Sequence, residues 1–328
     1  MKRREFMALL GGAAACVPLG ARAQQAAMPV IEYLGSASPE AWAGRLKAFR
    51  EGLGDADFVE GRNVSIEYRW ADNQYGRLPA LVAELVSRNV NVIVTPGSAP
   101  AALAAQAATK TIPVVFETGA DPVTIGLVAS LNRPGGNITG ITAWSFALGP
   151  KRLEALHEAI PSAKLIAGLI NPAAGELAER QKQELQAAAS KMGLELLLLH
   201  AGSDAELEPV FLSLVQHRAG GLVVMPEVFS NSRREQIAAL AVRHAVPAIF
   251  QSREFAAAGG LMSYGGDIAE THRLAGQYAG RILKGEKPAE LAVIQGTKAE
   301  LIVNLKTAKA LGIEMPTSLL ARANEVIE

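Results

Sequence analysis

Strand-like and helix-like segments alternate along most of this chain, and this order constrains the fold more than any other feature. The apolar run from Val30 to Leu34 precedes residues 39–53, whose large apolar side chains recur at helical spacing. The same order recurs from the strand-like runs at 63–70, at the start of 90–109, and at 113–116. Alternating strands and helices with short connections predict a parallel sheet covered by helices.

A second series of the same kind begins at Gly149, after the Gly-rich segment 134–142. Its predicted strands are residues 165–170, 194–200, 221–225 and 247–250. Two βα series of about equal size predict two doubly wound, Rossmann-like α/β lobes that face one another.

The last part of the chain is too short to form a third domain. It contains a strand at 261–264, a helix at about 268–283, and two further short strands near Ala292 and Leu301. We expect these elements to complete the two lobes by crossing back between them. The predicted lobes are 29–142 plus 264–288 and 143–263 plus 289–328. A multi-crossing hinge of this kind predicts a cleft that closes on a ligand.

The first residues have the features of an export signal. Three basic residues at 2–4 precede an apolar stretch, and Ala21-Arg22-Ala23 forms an A-x-A cleavage site. Residues 1–23 are therefore predicted to be a signal peptide, and the mature protein is predicted to be periplasmic. Arg3 and Arg4 also resemble a twin-arginine signal, so the choice between that route and general secretion stays open. Lipidation of Cys16, which lies inside the signal, stays open as well.

Charge and residue types argue against several classes of function. Without residues 1–23 the chain carries 28 basic and 31 acidic side chains, and this net charge of −3 does not favour nucleic acid or an anionic membrane. The five histidines include no H-x-H or H-E-x-x-H pair. The sequence also lacks G-x-S-x-G and P-loop motifs. We therefore expect a binding protein with no cofactor, no metal and no catalytic residues.

Polar residues at the predicted strand ends are the candidates for ligand contact, because ligands of open α/β sheets lie outside the carboxyl ends of the strands. The first lobe offers mainly small residues and hydroxyls there, and the second lobe offers acids and amides. This division suits a ligand with an anionic end and a polar or cationic end. The predicted ends are residues 35–38, 96–99 and 117–121 of the first lobe and 171–175, 226–230 and 251–255 of the second.

The turn Pro96-Gly97-Ser98 is the main candidate for an anion site. We expect its N–H groups to be free at the start of a predicted helix, where the helix dipole also attracts a carboxylate. Ser98 either donates its hydroxyl to the ligand or caps the helix, and the two roles are compatible.

Three acids and one aromatic residue near strand ends each have two possible roles. Glu117 and Glu227 either pair with an ammonium group or remain exposed loop acids. Asp121, followed by Pro122, either contacts the ligand or caps the next helix, and capping is the favoured role. Tyr264 either flanks an apolar or aromatic part of the ligand or packs in a core.

Long segments of the chain share the motifs of one known family. They are KAFREGL at 47–53, VEGRNVSIEYRWADNQYGRLPALVAELV at 59–86, IPVVFETGADPVTIGLVASLNRPGGNITG at 112–140 and SYGGDIAETHRLAGQYAGRILKGEKPAEL at 263–291. The part that runs from DPV to NITG is the most specific. These segments resemble the ABC transporter substrate-binding proteins of the tryptophan/tyrosine-binding type, and the resemblance covers nearly the entire mature chain.

The resemblance implies a periplasmic binding protein of type I, with two Rossmann-like lobes, three hinge crossings and a closing cleft. It also implies an uptake system with a membrane permease and an ATPase, so that this chain contacts the membrane only through the permease. By position, it implies ligand contacts from Ser36, Gly97, Ser98, Thr118 and Asp121 in the first lobe and from Asn171, Glu227, Gln251 and Asp267 on the facing side.

The sequence therefore predicts an exported solute-binding protein of an ABC importer. Its expected ligand is a small molecule with a carboxylate, such as an amino acid, an aromatic amino acid or an aromatic acid. One alternative is an exported α/β enzyme, of the racemase or hydrolase type, that uses Asp121 and Glu227 as acid and base. The other alternative is a ligand-sensing domain of a membrane receptor. Ligand identity and oligomeric state stay open.

Overall fold

The fold consists of two α/β lobes. The computed structural model describes residues 28–88, 90–143, 145–296 and 298–328. The predicted signal peptide, 1–23, and Cys16 within it lie outside the described residues. Within the described ranges, none of the helices combines the length and the apolar character needed to cross a membrane.

The first lobe is built on a sheet whose strands all pair in parallel. Its strands within the described ranges are β1 (Val30–Gly35), β2 (Ser65–Trp70), β3 (Val92–Thr95), β4 (Val114–Thr118), β5 (Ile138–Thr142) and β11 (Ile294–Gln295). Their spatial order is β11-β5-β4-β3-β1-β2. The main helices of this lobe are α1 (Ala43–Asp55), α2 (Leu78–Val86), α3 (Ala99–Ala108) and α10 (Ile268–Leu283).

The second lobe has a sheet in which only the β10–β12 pair, among the pairs of described residues, is antiparallel. Its strands are β6 (Leu165–Ile170), β7 (Glu195–His200), β8 (Gly221–Val224), β9 (Ala248–Phe250), β10 (Met262–Gly266), β12 (Ala299–Asn304) and β13 (Glu325–Ile327). Their spatial order is β13-β12-β10-β9-β8-β6-β7. Its helices are α4 (Gly149–Ala159), α5 (Glu176–Lys191), α6 (Asp204–Gln216), α7 (Val228–Ser232), α8 (Arg234–Arg243), α9 (Arg253–Ala257), α11 (Leu305–Ala310) and α12 (Thr317–Arg322).

Burial follows the pattern expected for parallel sheets. Strands β3, β4 and β5 are buried along their whole length, and so is β8 in the second lobe. Strands covered by helices on both faces read as continuous apolar runs, and this is why the sequence pattern located them. The two-lobed α/β fold predicted from the sequence is confirmed.

The tail divides between the lobes differently from the prediction in two places. Residues 264–266 were assigned to the first lobe, but β10 pairs with β9 and β12 in the second sheet. Residues 294–295 were assigned to the second lobe, but β11 pairs with β5 in the first sheet. The chain therefore passes between the lobes after Thr142, after Gly266 and after Gln295. The pairing of short strands, which determines these limits, leaves little trace in local sequence.

Helices α1 and α10 pack unusually closely in the first lobe because two glycines meet at their crossing. A Cβ at Gly52 would overlap the carbonyl oxygen of Arg273, and a Cβ at Gly276 would overlap that of Phe49. This contact attaches α10 to the first lobe, although the residues just before it belong to the second sheet. The attachment of α10 thus determines where the second crossing ends.

We expect Gly276→Ala to lower the free energy of unfolding by about 1–3 kcal/mol, because the added methyl group forces two backbones apart. The matched control is Gly54→Ala on α1, where a Cβ has nothing within 4 Å. It should change the free energy by no more than about 1 kcal/mol. Denaturant unfolding followed by circular dichroism measures both, and equal effects would show that the glycine crossing is not a close contact.

Candidate ligand-binding site

The two lobes contact each other directly across the cleft. The guanidinium of Arg45 on α1 forms an ion pair with Glu254 on α9, with 2.7 Å between Nη2 and Oε2. The hydroxyl of Ser232 donates to Oδ1 of Asn73 at 3.0 Å. The Tyr75 hydroxyl of the first lobe also donates to the Glu227 carboxylate of the second. The structure therefore shows the cleft in a closed arrangement.

A small cavity of about 50 Å³ lies between the closed lobes. Ser98, Glu117 and Thr118 line it from the first lobe, and Glu227 and Gln251 line it from the second. The carboxyl ends of the strands in both sheets thus meet at one place, as expected for ligand sites of open α/β sheets. Within the described ranges, no group of three or more His, Cys, Asp or Glu residues is arranged to hold a metal ion.

The turn at Gly97 and Ser98 forms the first-lobe wall of the cavity. Gly97 has φ +67°, and a Cβ there would lie 2.6 Å from Cη2 of Trp42. The Ser98 side chain caps α3 by accepting from the Ala101 N–H at 3.2 Å. It also accepts from the Ser36 hydroxyl at 2.7 Å. Because Ser98 accepts both bonds, its own hydroxyl proton is available to a ligand.

The N–H groups of this turn are largely used by the protein itself. The Gly97 N–H donates to the Glu117 carboxylate, and the Ser98 N–H donates to the Glu117 carbonyl oxygen at 3.2 Å. The prediction that both N–H groups are free for a ligand is therefore wrong. Ala99 is the first residue of α3, so its N–H has no acceptor within the helix. The donors left at this helix end are the Ala99 N–H and the Ser98 hydroxyl.

Glu117 is a buried acid rather than an exposed loop residue. Burial raises the pKa of its carboxyl group to about 7, although Arg45, the Gly97 N–H and Thr271 act in the opposite direction. His272 lies beside it, with 3.9 Å between Nδ1 and Oε2. Burial lowers the pKa of His272 to about 3, so this ring is neutral and supplies no compensating charge.

The second-lobe wall of the cavity carries buried acceptors. The Glu227 carboxylate accepts from the Phe229 N–H at 2.6 Å, and burial raises its pKa. The Gln251 amide donates from Nε2 to Oδ1 of Asn231 at 2.6 Å. Its Oε1 is buried and has no hydrogen-bond partner within the described parts of the chain. A buried acceptor of this kind beside a cavity is suited to a donor group of a ligand.

The structure brings eight of the predicted site residues to the cavity or next to it. Six line the cavity directly, and they are Gly97, Ser98, Glu117, Thr118, Glu227 and Gln251. Ser36 bonds to Ser98, and the Asn171 side chain bonds to Glu227. Their contact with a ligand stays a prediction.

Three predicted residues lie away from the inner cavity. Asp121 accepts from the Val123 N–H at 2.9 Å, so it serves its own turn and only borders an outer cavity. Asp267 caps α10 by accepting from the Ala269 N–H at 2.9 Å. The ring of Tyr264 lines a separate cavity on the second lobe. Asp121 and Asp267 follow strand ends but serve their own turns, and Tyr264 lies within β10.

Several residues at the cavity were missed by the sequence argument. Arg45 is one, because a basic residue within a helix is normally solvent-exposed, whereas here its side chain is only 3% exposed. Tyr75 is another, although it follows the end of β2 and could have been found by the strand-end rule. Leu177 on α5 is a third, because it carries no polar group and nothing in the neighbouring sequence marks it as a site residue. Ser145 and Phe146 lie in the first crossing and were not among the predicted site residues.

Two α/β lobes that close over a cavity with polar groups on both walls define a bilobal ligand-binding protein with the type I periplasmic binding protein fold. The chain belongs to the ABC transporter substrate binding protein family, whose model matches residues 38–327. The family predicted from the sequence is confirmed.

Individual relatives share most of their length with this chain. It is 28% identical over 268 residues to a tyrosine-binding protein of Clostridioides difficile (strain R20291), which covers 82% of this chain and 76% of that protein. It is similar in structure to a conserved domain protein from Vibrio cholerae, with 26% identity and a TM-score of 0.82. The match covers 91% of this chain and 99% of that one. It is also similar to an ABC domain from Streptococcus pneumonia in complex with L-Trp, with 24% identity, a TM-score of 0.79 and the same coverage.

We expect Glu117→Gln to reduce the pH dependence of stability. Between about pH 4.5 and pH 7 the folded state keeps a proton on Glu117 that the unfolded chain loses, so wild-type stability falls as pH rises through this window. The loss attributable to this group is about 3 kcal/mol. Part of the slope should remain in the variant, because burial also raises the pKa of Glu32 to about 7.

Denaturant unfolding at pH 5 and pH 8 measures this effect. The control is Glu154→Gln, at an exposed carboxylate on α4 of the second lobe. If the stability of Glu117→Gln falls between pH 5 and pH 8 as steeply as that of the wild type, the assignment of a buried proton to this carboxyl group is contradicted.

Proposed function

We propose that this chain is the exported solute-binding component of an ABC importer and that it captures a small amino acid or aromatic acid between its lobes. The observation that carries this proposal is the closed cavity, in which donors at the start of α3 face buried acceptors of the second lobe. A ligand with a carboxylate at one end and donor groups at the other would satisfy both walls.

The ligand carboxylate is proposed to bind at the first-lobe wall. The Ser98 hydroxyl and the Ala99 N–H are the available donors at the N-terminus of α3, and the helix dipole adds to their attraction. Thr118 is a further donor, since its Oγ1 accepts from the Ala120 N–H at 3.1 Å and its own proton remains to be donated.

The ligand ammonium or another donor group is proposed to bind at the second-lobe wall. Gln251 offers its unpartnered Oε1, and Glu227 offers a carboxylate. The cation of Arg45 is already paired with Glu254 across the cleft, so it does not neutralise these acceptors. A zwitterionic amino acid fits this distribution of charge better than a simple acid.

The side chain of the ligand is proposed to extend toward Leu177. A cavity of about 50 Å³ has room for only a few water-sized groups, so an aromatic ring would need further space. Leu177 of the second lobe packs against Ala99 and Ala120 of the first, and Phe146 lies beside them. Outer cavities of about 190 and 430 Å³ border the same leucine. An apolar or aromatic group fits between these residues.

Two relatives support an aromatic amino acid in particular. One is a tyrosine-binding protein, and the other was solved in complex with L-Trp. The transport role rests on the family and on the predicted signal at 1–23, which would export the mature chain to meet a permease and its ATPase. The mature chain would then approach the membrane only through the permease.

Calorimetric titration of the purified chain from Gln24 to Glu328 tests the ligand class. L-Tryptophan, L-tyrosine and L-phenylalanine should bind saturably and be recovered unchanged, and phenylacetate should bind more weakly because it lacks an ammonium group. Formation of a product from any of these compounds would support an enzyme instead. Saturable binding of none of them would contradict the proposed ligand class.

We expect Ser98→Ala to weaken binding of the preferred amino acid by about tenfold or more, since a hydrogen bond to a charged group is lost. The control is Asn304→Ala, which removes a side chain that caps α11 by accepting from the Thr307 N–H, away from the cavity, and which should leave the dissociation constant unchanged. Both variants are titrated at a temperature where both are folded. The comparison separates the loss of a ligand contact from the loss of a helix cap. If Ser98→Ala binds as tightly as wild type, the α3 end is not the carboxylate site.

A further inference from the structure

Arg152 on α4 is a fully buried cation at the hinge, with 0% of its surface exposed. Its Nε donates to the carbonyl oxygen of Tyr264 at 2.8 Å, and its Nη2 donates to the carbonyl oxygen of Ser145 at 2.7 Å. Its Nη1 has no hydrogen-bond partner among the described residues. Both of these acceptors are neutral backbone groups, and no carboxylate forms an ion pair with Arg152 within the described ranges.

One of the two carbonyl groups lies in a crossing between the lobes, and the other lies just before a second crossing. Ser145 lies between β5 of the first lobe and α4 of the second. Tyr264 lies in β10, close to the point where the chain leaves the second sheet for α10. One side chain therefore ties together two of the segments on which the lobes must turn. The third crossing lies alongside, since the Gly296 N–H donates to the Thr142 carbonyl oxygen at 2.7 Å.

Stability does not explain an arginine at this position. A buried guanidinium that is paired only with neutral carbonyl groups has lost its hydration without gaining an opposite charge. Burial accordingly lowers the pKa of Arg152 to about 9. Apolar side chains of similar volume often replace buried charges without loss of stability. The arginine therefore needs a reason connected with the segments that it holds.

Both of these segments continue directly into the cavity wall. Ser145 and Phe146 line the cavity, and Oγ of Ser145 occupies the space that a Cβ at Gly119 would need. Gly265, which follows Tyr264, packs so closely on β9 that a Cβ there would overlap the carbonyl oxygen of Gln251. A shift of either carbonyl group held by Arg152 would thus move a residue of the cavity wall.

We propose that Arg152 is a positioning residue of the hinge, which holds the Ser145 and Tyr264 carbonyl groups together and so determines the closed arrangement of the lobes. It does not touch the ligand. It acts by keeping Ser145, Phe146 and Gln251 where a ligand held between the lobes would meet them. The effect on affinity rests on the proposed function, but the effect on lobe arrangement does not.

The test compares Arg152→Met, which keeps an unbranched side chain but removes the charge and all of its donors, with Arg152→Lys, which keeps the charge but loses the planar pair of donors. Spin labels at Val123→Cys and Gln183→Cys, on exposed positions of the two lobes, report the interlobe distance in a chain that lacks Cys16. The control is Arg243→Met, at an exposed residue of α8. Measurements without added ligand report the effect on lobe arrangement, and measurements with L-tyrosine or L-tryptophan report the effect on affinity.

Arg152→Met should unfold at the same denaturant concentration as wild type or at a higher one, while its interlobe distances without ligand shift or broaden. Its affinity for the amino acid that wild type binds should fall by about tenfold. The interlobe distances and the affinity of Arg152→Lys should lie between those of the wild type and Arg152→Met. If Arg152→Met does not fold, Arg152→Lys is the variant that decides the test. Unchanged distances in a folded variant would overturn the proposal, whether or not stability falls. Altered distances without binding of either amino acid would support the hinge role and contradict the proposed ligand class.

Discussion

Parallel strand pairing is the constraint on which the rest of this structure depends. It places the carboxyl ends of neighbouring strands at one edge of each sheet, so each lobe has a single edge rich in turns and helix starts. The chain passes between the lobes after Thr142, Gly266 and Gln295, and the two edges face each other there. Every residue proposed to contact the ligand lies near one of these edges or in a crossing, which is why one small cavity can be lined by both lobes.

The cavity and the hinge retain polar groups that burial makes unfavourable. Glu117 and Glu227 are buried acids with raised pKa values, and Arg152 is a buried base with a lowered one. The ion pair between Arg45 and Glu254 joins the lobes beside them. A packed apolar interface would be more stable but would offer a ligand no hydrogen bonds. These groups are best understood as features that ligand capture requires.

Much of the fold could be predicted from sequence, because buried parallel strands are continuous apolar runs and helices show their spacing. The strand-end rule likewise located Ser98, Glu117, Glu227 and Gln251. It could not show that Glu117 turns back to bind the Gly97 N–H, because that bond depends on how two strand ends lie in space. Arg45, Leu177 and Arg152 could not be predicted, since a helix shows nothing locally of the lobe or crossing it will meet. Asp121 accepts from the backbone of its own turn, as the favoured capping role predicted, and Asp267 caps α10, for which only a ligand contact was predicted.

The central claim is tested most directly by a crystal structure of the complex with L-tryptophan or L-tyrosine, whichever binds more tightly. The account predicts one amino acid between the lobes, with its carboxylate about 2.7–3.2 Å from the Ser98 hydroxyl oxygen and the Ala99 nitrogen. Its ammonium group should face Glu227 and the Oε1 atom of Gln251, with the ring beside Leu177. A carboxylate bound at the second-lobe wall, or a ligand bound outside the cleft, would contradict the account.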